Sequence, residues 1–331
     1  MTVRFGVLGA GRIGKVHAKA IGANAGAKLV AVADAFEKAA NDLAAAYGCE
    51  VRTIDAIETA GDIDAVVICT PTDTHADLIE TFARKGKAVF CEKPIHLDAE
   101  RVKACLKVVD ETGATLMVGF NRRFDPHFAA VRKAIDDGAI GKVEQVVITS
   151  RDPGPPPAEY ITRSGGIFRD MTIHDFDIAR FLLGEEPVAV QATGSVLVDP
   201  EIGRLGDFDS VSVILSTASG RQAVITNSRR ATYGYDQRIE VHGSEGMVAA
   251  ENQRPVSIEV AGPKGYTRPP LHDFFMTRYT EAYANEIGAF IEAVKKGTKP
   301  SPSGRDGLIA LQLADAALKS ATEGVTVRLG A

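Results

Sequence analysis

The sequence predicts an α/β chain of two domains: a doubly wound parallel sheet over residues 1–121, then an α+β domain with a large, open, mainly antiparallel sheet over residues 122–331. Three observations predict it. Short apolar runs without polar alternation recur through the first third, separated by alanine-rich helical patterns, as in a parallel sheet buried on both faces. A glycine pattern lies between the first run and the first helix. Beyond Pro187 the chain changes to β-rich runs divided by turn signals, which reads as antiparallel pairing.

In chain order, the apolar runs are residues 3–8, 28–33, 65–69, 88–91 and 115–120. Between them lie helical stretches 12–25, 36–47, 74–85 and 98–112, long enough for the crossovers of right-handed βαβ units. A helix at 126–137 and a strand at 143–150 lead to a proline-rich loop, 152–157, which cannot be a central strand. Runs 188–198, 210–215, 222–227, 237–242 and 257–260 supply the second sheet, with Ser219-Gly220 and Gly243-Ser244 as turns. Two helical patterns, 279–296 and 305–321, follow, with Gly297 a stop for the first. An open sheet of this kind exposes a face rich in Val and Ile that a second copy would cover, so a homo-oligomer is expected.

A length of 331 residues exceeds one comfortable core and suits two domains of roughly 100 to 200 residues each. The net charge is -5 from 38 basic and 43 acidic residues with no Lys/Arg cluster, which argues against a nucleic-acid partner and toward small-molecule ligands. Cys49, Cys69, Cys91 and Cys105 lack CxxC spacing and read as reduced thiols, hence a cytoplasmic setting. The opening MTVRFGVLG enters a strand at once and no apolar run approaches about 18 residues, so neither export nor a membrane partner is expected.

Gly9-Ala10-Gly11-Arg12-Ile13-Gly14 follows a strand and opens a helix, the context that makes a glycine pattern a dinucleotide fingerprint. Gly9 serves the tight turn, Gly11 the approach of a pyrophosphate, and Gly14 close helix packing, while the helix N-terminus offers N–H groups. Asp34, at the end of the second run, would accept hydrogen bonds from a ribose diol and repel a 2′-phosphate, favouring NAD over NADP; Ala35 and Phe36 supply no cation for such a phosphate, although Arg12 is close in sequence, and Asp34 also reads as a helix cap. Thr70, Pro71 and His75 follow the next run at the ligand-binding edge and could flank the cofactor. Thr72 or Asp73 reads equally well as a helix cap, and a lone His75 as structural.

Glu92-Lys93-Pro94 ends another buried run, AVFC, so Lys93 is a fixed ammonium at that same edge, able to stabilise a developing alkoxide. Asp170 and His174 are four residues apart and share one face if the segment is helical. A carboxylate beside an imidazole fixes its tautomer and raises its basicity, which suits removal of a hydroxyl proton. The alternative is that Asp170 caps a helix and His174 belongs to the core. With the nucleotide fingerprint, the pair reads as alcohol oxidation. The seven histidines form no HExxH or close His/Cys grouping, so no metal is expected.

The stretches CEKP, GFNRRFDP, GGIFRDMTIHDFDIARFLLG and Tyr233-Gly234-Tyr235-Asp236 together resemble the glucose-fructose oxidoreductase, inositol dehydrogenase and MocA family, across essentially the whole chain. The resemblance implies a Rossmann domain, an open C-terminal sheet and a homotetramer. It makes Lys93, Asp170 and His174 the catalytic set, and places Arg122, Asp152 and Tyr235 around a polyol, with Glu92 beside the cofactor and Asn121 near the cofactor or substrate. The inositol-oxidising members are the most similar, which implies oxidation of myo-inositol to 2-keto-myo-inositol with NAD; scyllo-inositol, glucose or another polyol or pyranose is the alternative.

Overall fold

The computed structural model describes residues 2–330. They form two compact units: the described residues up to Asp125 with Glu281–Leu311, and Pro126–Thr280 with the described residues from Gln312 onward. The units are discontinuous, whereas the sequence suggested one boundary after residue 121.

The first unit runs β1 (Val3–Leu8), α1 (Arg12–Gly22), β2 (Ala27–Ala33), α2 (Glu37–Tyr47), β3 (Glu50–Val51), α3 (Ile54–Thr59), β4 (Ala65–Ile68), α4 (His75–Arg84), β5 (Ala88–Cys91), α5 (Ala99–Thr112) and β6 (Leu116–Val118). The six strands are all parallel in the order β3-β2-β1-β4-β5-β6. This is the doubly wound order whose reversal point lies between β1 and β4, and ligands bind there, off the carboxyl ends of the strands. The turns after β1 and β4 carry the glycine pattern and Thr70-Pro71.

The core of this unit joins Phe5, Val7, Val67 and Phe90 of the sheet to Ile287, Phe290 and Ile291. The last three belong to the helix Thr280–Lys296, which explains why segment 281–311 leaves the C-terminal half. Burying one such Phe or Ile side chain contributes about 1.5–3 kcal/mol, enough to decide where an amphipathic helix docks. Two of the helices, α3 and α5, start where side chains satisfy free amides: Thr53 accepts from the N–H of Ala56 at 3.2 Å, and Asp98 from that of Glu100 at 2.9 Å.

The second unit contains α6 (Pro126–Asp136), β7 (Val143–Arg151), α7 (Ala158–Ser164), a single π-turn (Phe168–Thr172), α8 (Ile173–Leu183), β8 (Pro187–Ser195), α9 (Pro200–Arg204), β9 (Ser210–Thr217), β10 (Gln222–Ser228), β11 (Asp236–Gly243), β12 (Gly246–Ala250), β13 (Val260–Gly262), β14 (Gly265–Thr267) and α10 (Phe275–Arg278). The remaining elements are α11 (Thr280–Lys296), α12 (Gly304–Glu323) and β15 (Val327–Arg328). Seven strands form the sheet β12-β11-β7-β10-β9-β8-β15. Every pair in it is antiparallel except β7 with β10. A parallel pair needs a crossover, and α7, the π-turn and α8 all fall between those two strands in sequence. Along α8, Ile173, Phe176, Ile178, Ala179, Leu182 and Leu183 are all buried.

The strand expected at 257–260 does not form there. The chain pairs only from Val260 to Gly262, with Gly265–Thr267, in a two-stranded hairpin exposed on all sides. β12 and β15 were not anticipated: the five residues of β12 are mostly exposed, and β15 has two.

Candidate active site

The candidate residues fall into two groups, one in each unit. In the first, β1 ends against Gly9, whose φ of +97° and the 2.6 Å from a notional Cβ to the Cys69 carbonyl oxygen admit no side chain. At Gly14 a Cβ would lie 1.9 Å from the Gly9 carbonyl oxygen, so this glycine lets α1 close on the turn. Gly11 differs: a Cβ there meets nothing within 4 Å, so its bareness serves no packing within the protein. It is the N-cap of α1, with no side-chain cap and no acidic residue in the first turn, and the turn opens on Arg12, Ile13 and Gly14. Asp34 accepts from the Ala10 amide at 2.5 Å and from the Phe36 amide at 2.7 Å, tying the end of β2 to the glycine turn. It is not the cap of α2, whose N-cap is Phe36 with no side-chain cap; its carboxylate instead joins the start of that helix to the glycine loop. The N-cap of α4 is Thr74, not Thr72 or Asp73, and Thr74 Oγ1 lies 2.6 Å from Thr70 Oγ1.

Lys93 stands just past β5, half-buried, in a turn held from both sides. Its neighbour Glu92 lies 2.6 Å from Nε2 of His17, a fully buried side chain of α1 packed edge-on against Phe90 and Tyr283. Gly119 makes room for that carboxylate: a Cβ there would be 3.1 Å from Glu92 Cδ. On the other side, His75 places Nδ1 2.8 Å from the Pro94 carbonyl and Nε2 2.8 Å from the Thr70 carbonyl. Burial lowers the His75 pKa, with the two carbonyls opposing the shift. His75 thus fastens the turn after β4 to the turn carrying Lys93. Asn121 and Arg122 are buried in the short 3₁₀ turn Asn121–Phe124 that follows β6.

In the second unit, Gly165 and Gly166 both take φ of +81° ahead of the π-turn. At Gly166 a Cβ would sit 2.7 Å from Asp207 Oδ1, and the bare backbone lets the Asp207 carboxylate accept from the Ile167 amide at 3.0 Å. Burial raises the Asp207 pKa against the opposing pull of the Ile167 and Phe208 amides and of Arg229. Asp170 lies within the π-turn and His174 in the first turn of α8; single π-turns recur at functional sites. The helix is bolted to the sheet by a buried polar chain. Thr172 Oγ1 donates to Asn227 Oδ1 at 2.6 Å, Asn227 Nδ2 to Asp175 Oδ2 at 2.8 Å, and Ser150 Oγ to Asp175 Oδ1 at 2.7 Å.

Asp170 accepts from Tyr160 Oη at 2.8 Å and from Arg229 Nη1 at 3.0 Å. The same Nη1 lies 3.6 Å from Asp152 Oδ2, so two of the expected residues are drawn together by a third that the sequence did not single out. Burial works against the charge of Arg229, and Asp170 and Asp152 more than offset it, so its pKa lies above the ordinary arginine value. Tyr235, buried just before β11, packs edge-on against Phe274 and Tyr279. Sequence reasoning also missed His17. The signal for it was a histidine on the buried face of α1, three residues past the last glycine.

Residues 3–120 match the model described as an oxidoreductase family with an NAD-binding Rossmann fold, and residues 128–249 match the GFO/IDH/MocA C-terminal domain. The chain belongs to the GFO/IDH/MocA family. It is 78% identical over 323 residues to the inositol 2-dehydrogenase of Rhizobium meliloti (strain 1021), covering 98% of each sequence. It is similar, at 46% identity and a TM-score of 0.97 with both chains covered fully, to a crystal structure of a myo-inositol dehydrogenase from Corynebacterium glutamicum. It is also similar, at 29% identity, a TM-score of 0.92 and 99% coverage of each chain, to a scyllo-inositol dehydrogenase from Lactobacillus casei with bound NAD(H) and scyllo-inositol.

The GFO/IDH/MocA chain described here binds NAD through its Rossmann half. Its residues fit that cofactor: the bare backbone at Gly11, the uncapped start of α1 and the carboxylate of Asp34 are what a dinucleotide requires. Gly14→Ala should force the loop off α1, because the clash is with backbone and cannot be relieved by a rotamer change. The expected cost is about 1–3 kcal/mol of stability, with NAD affinity at least about tenfold weaker; thermal melting and a fluorescence titration check both.

Proposed function

We propose that this chain oxidises myo-inositol to 2-keto-myo-inositol with NAD. The observation that carries the reading is the near-full-length 78% identity to a curated inositol 2-dehydrogenase. NAD, when bound, supplies the acceptor for the hydride that leaves the carbinol carbon. Gly9, Gly11, Arg12, Ile13, Gly14 and Asp34 hold its adenosine and pyrophosphate end, with Thr70, Pro71, His75, Glu92 and Asn121 as further contributors. Lys93 donates to the reacting oxygen and stabilises its alkoxide. His174 takes the hydroxyl proton, so that oxygen and carbon lose a proton and a hydride respectively, and the product is a ketone. Arg122, Asp152, Asp170 and Tyr235 bind the remaining hydroxyls, and a site built of buried and half-buried donors and acceptors discriminates sharply against rings whose hydroxyls point elsewhere.

NADH formation from myo-inositol, scyllo-inositol and glucose tests the reading. The expected order has myo-inositol with the highest kcat/KM. A clear preference for scyllo-inositol would instead favour the specificity named for the Lactobacillus casei neighbour, and inactivity with all three would refute polyol oxidation.

We also propose that the protein is a homotetramer built on the seven-stranded sheet and works in the cytoplasm. Exposed Val188, Ile214 and Met247, on three strands of that sheet, support the first, and four free cysteines the second. Among the described residues no helix is long and apolar enough to cross a membrane.

A further inference from the structure

Arg229 lies one residue past β10 and is only 2% exposed. Nη1 makes its hydrogen bond, to Asp170, while Nε and Nη2 are buried without a partner among the described residues. An arginine kept for stability alone would be expected to satisfy more of its donors, because buried charge is costly unless fully hydrogen-bonded. Its surroundings point instead to what it touches. Asp152 follows β7, Asp170 sits in the π-turn and Arg229 follows β10, so one guanidinium joins three separate elements.

The backbone reinforces the join. The Asp152 amide donates to the Ser228 carbonyl at 2.9 Å, and the Arg229 amide to the Asp209 carbonyl at 2.8 Å. Tyr160 Oη occupies the other Asp170 oxygen, so both oxygens of that carboxylate are oriented. Without the cation between them, the carboxylates of Asp170 and Asp152 would repel each other and turn apart.

We propose that Arg229 is a positioning residue for the oxidation, holding the carboxylates of Asp170 and Asp152 in the one arrangement that receives the polyol. This rests on the polyol-oxidation reading above and adds a residue to it. The part played is geometric: a displacement of about 1 Å in a group that orients substrate can cost on the order of a hundredfold in rate.

The test compares Arg229→Met, Arg229→Gln and Arg229→Lys with the unaltered enzyme, on whichever of myo-inositol, scyllo-inositol and glucose that enzyme oxidises fastest. Arg229→Met should lower kcat/KM for the polyol by about a hundredfold while leaving the NAD dissociation constant unchanged. Arg229→Lys, which keeps the charge but not the planar fork, should recover about tenfold of that loss. The acid limb of the kcat/KM profile should move to higher pH in Arg229→Met and Arg229→Gln but not in Arg229→Lys, since the cation removed donates to Asp170, which also accepts from Tyr160, and the same guanidinium interacts with the carboxylates of Asp152 and Asp207.

Three results would overturn the proposal: a kcat/KM within about threefold of the unaltered enzyme in Arg229→Met, NAD binding lost in step with turnover, or a lysine variant no better than the methionine one. If Arg229→Met does not fold, Arg229→Gln decides by the same criteria, and failure of all three variants to fold would make the residue structural. An unaltered enzyme inactive on every polyol would sink the polyol-oxidation reading and this inference together. Active enzyme with indifferent variants would sink this inference alone.

Discussion

Lys93→Met is expected to lower kcat by about a hundredfold to a thousandfold, the usual cost of removing one donor aimed at a developing oxyanion. Methionine keeps most of the length and apolar stem of lysine and removes the charge, so the variant isolates the ammonium. The turn should survive the change, because it is fixed by its neighbours: Glu92 is held by His17, Pro94 by His75, and Ile95 is buried. Lys93 itself is half-buried, and its replacement should move the melting temperature little. NAD affinity should change by less than about threefold if the lysine acts mainly on the reacting oxygen. Steady-state NADH formation and a fluorescence titration with NAD separate these quantities. A kcat near that of the unaltered enzyme would remove Lys93 from the chemistry, and a parallel collapse of NAD affinity would recast it as a cofactor-binding residue.

The first sheet was legible because a parallel strand buried on both faces leaves an unmistakable trace. Val3–Leu8 and Ala65–Ile68 carry no polar alternation, and each is followed by a turn that must serve a ligand or a cap. The glycine loop was legible for a related reason. Backbone clashes at Gly9 and Gly14 are local, so the spacing alone records them. The return of α11 to the first unit was not legible, since an amphipathic face with Ile287 and Phe290 says that it must be buried without saying in which core.

The site followed the same division. Lys93, Asp170 and His174 stood out by type and neighbours, whereas Arg229 is one of two adjacent arginines and only the fold decides which of them is buried. The ion pairs of Arg229 join strand ends and a turn tens of residues apart, a relation that no local pattern encodes. The π-turn was equally hidden. Its sequence reads as ordinary helix, and the Gly165-Gly166 pair with Asp207 against the Ile167 amide becomes a device only once residue 207 is folded beside it.

His174→Ala should lower kcat by about a hundredfold or more, the range for loss of a positioned general base, with NAD affinity nearly unchanged. Alanine is the best helix former and α8 is anchored by Thr172, Asn227, Ser150 and Asp175, none of which the substitution touches, so the helix should hold its place. The proton of the polyol hydroxyl would then leave to solvent base. The residual rate should therefore keep climbing with pH where the unaltered enzyme has levelled off, and an added small imidazole should restore part of the activity if it can enter the space the side chain leaves. Loss of rate through a merely displaced helix would give neither the continued rise nor the rescue, and would be accompanied by a lower melting temperature. Turnover unchanged in His174→Ala would remove the residue as the base and leave proton removal to Lys93, whose variant would then be expected to show the pH signature instead.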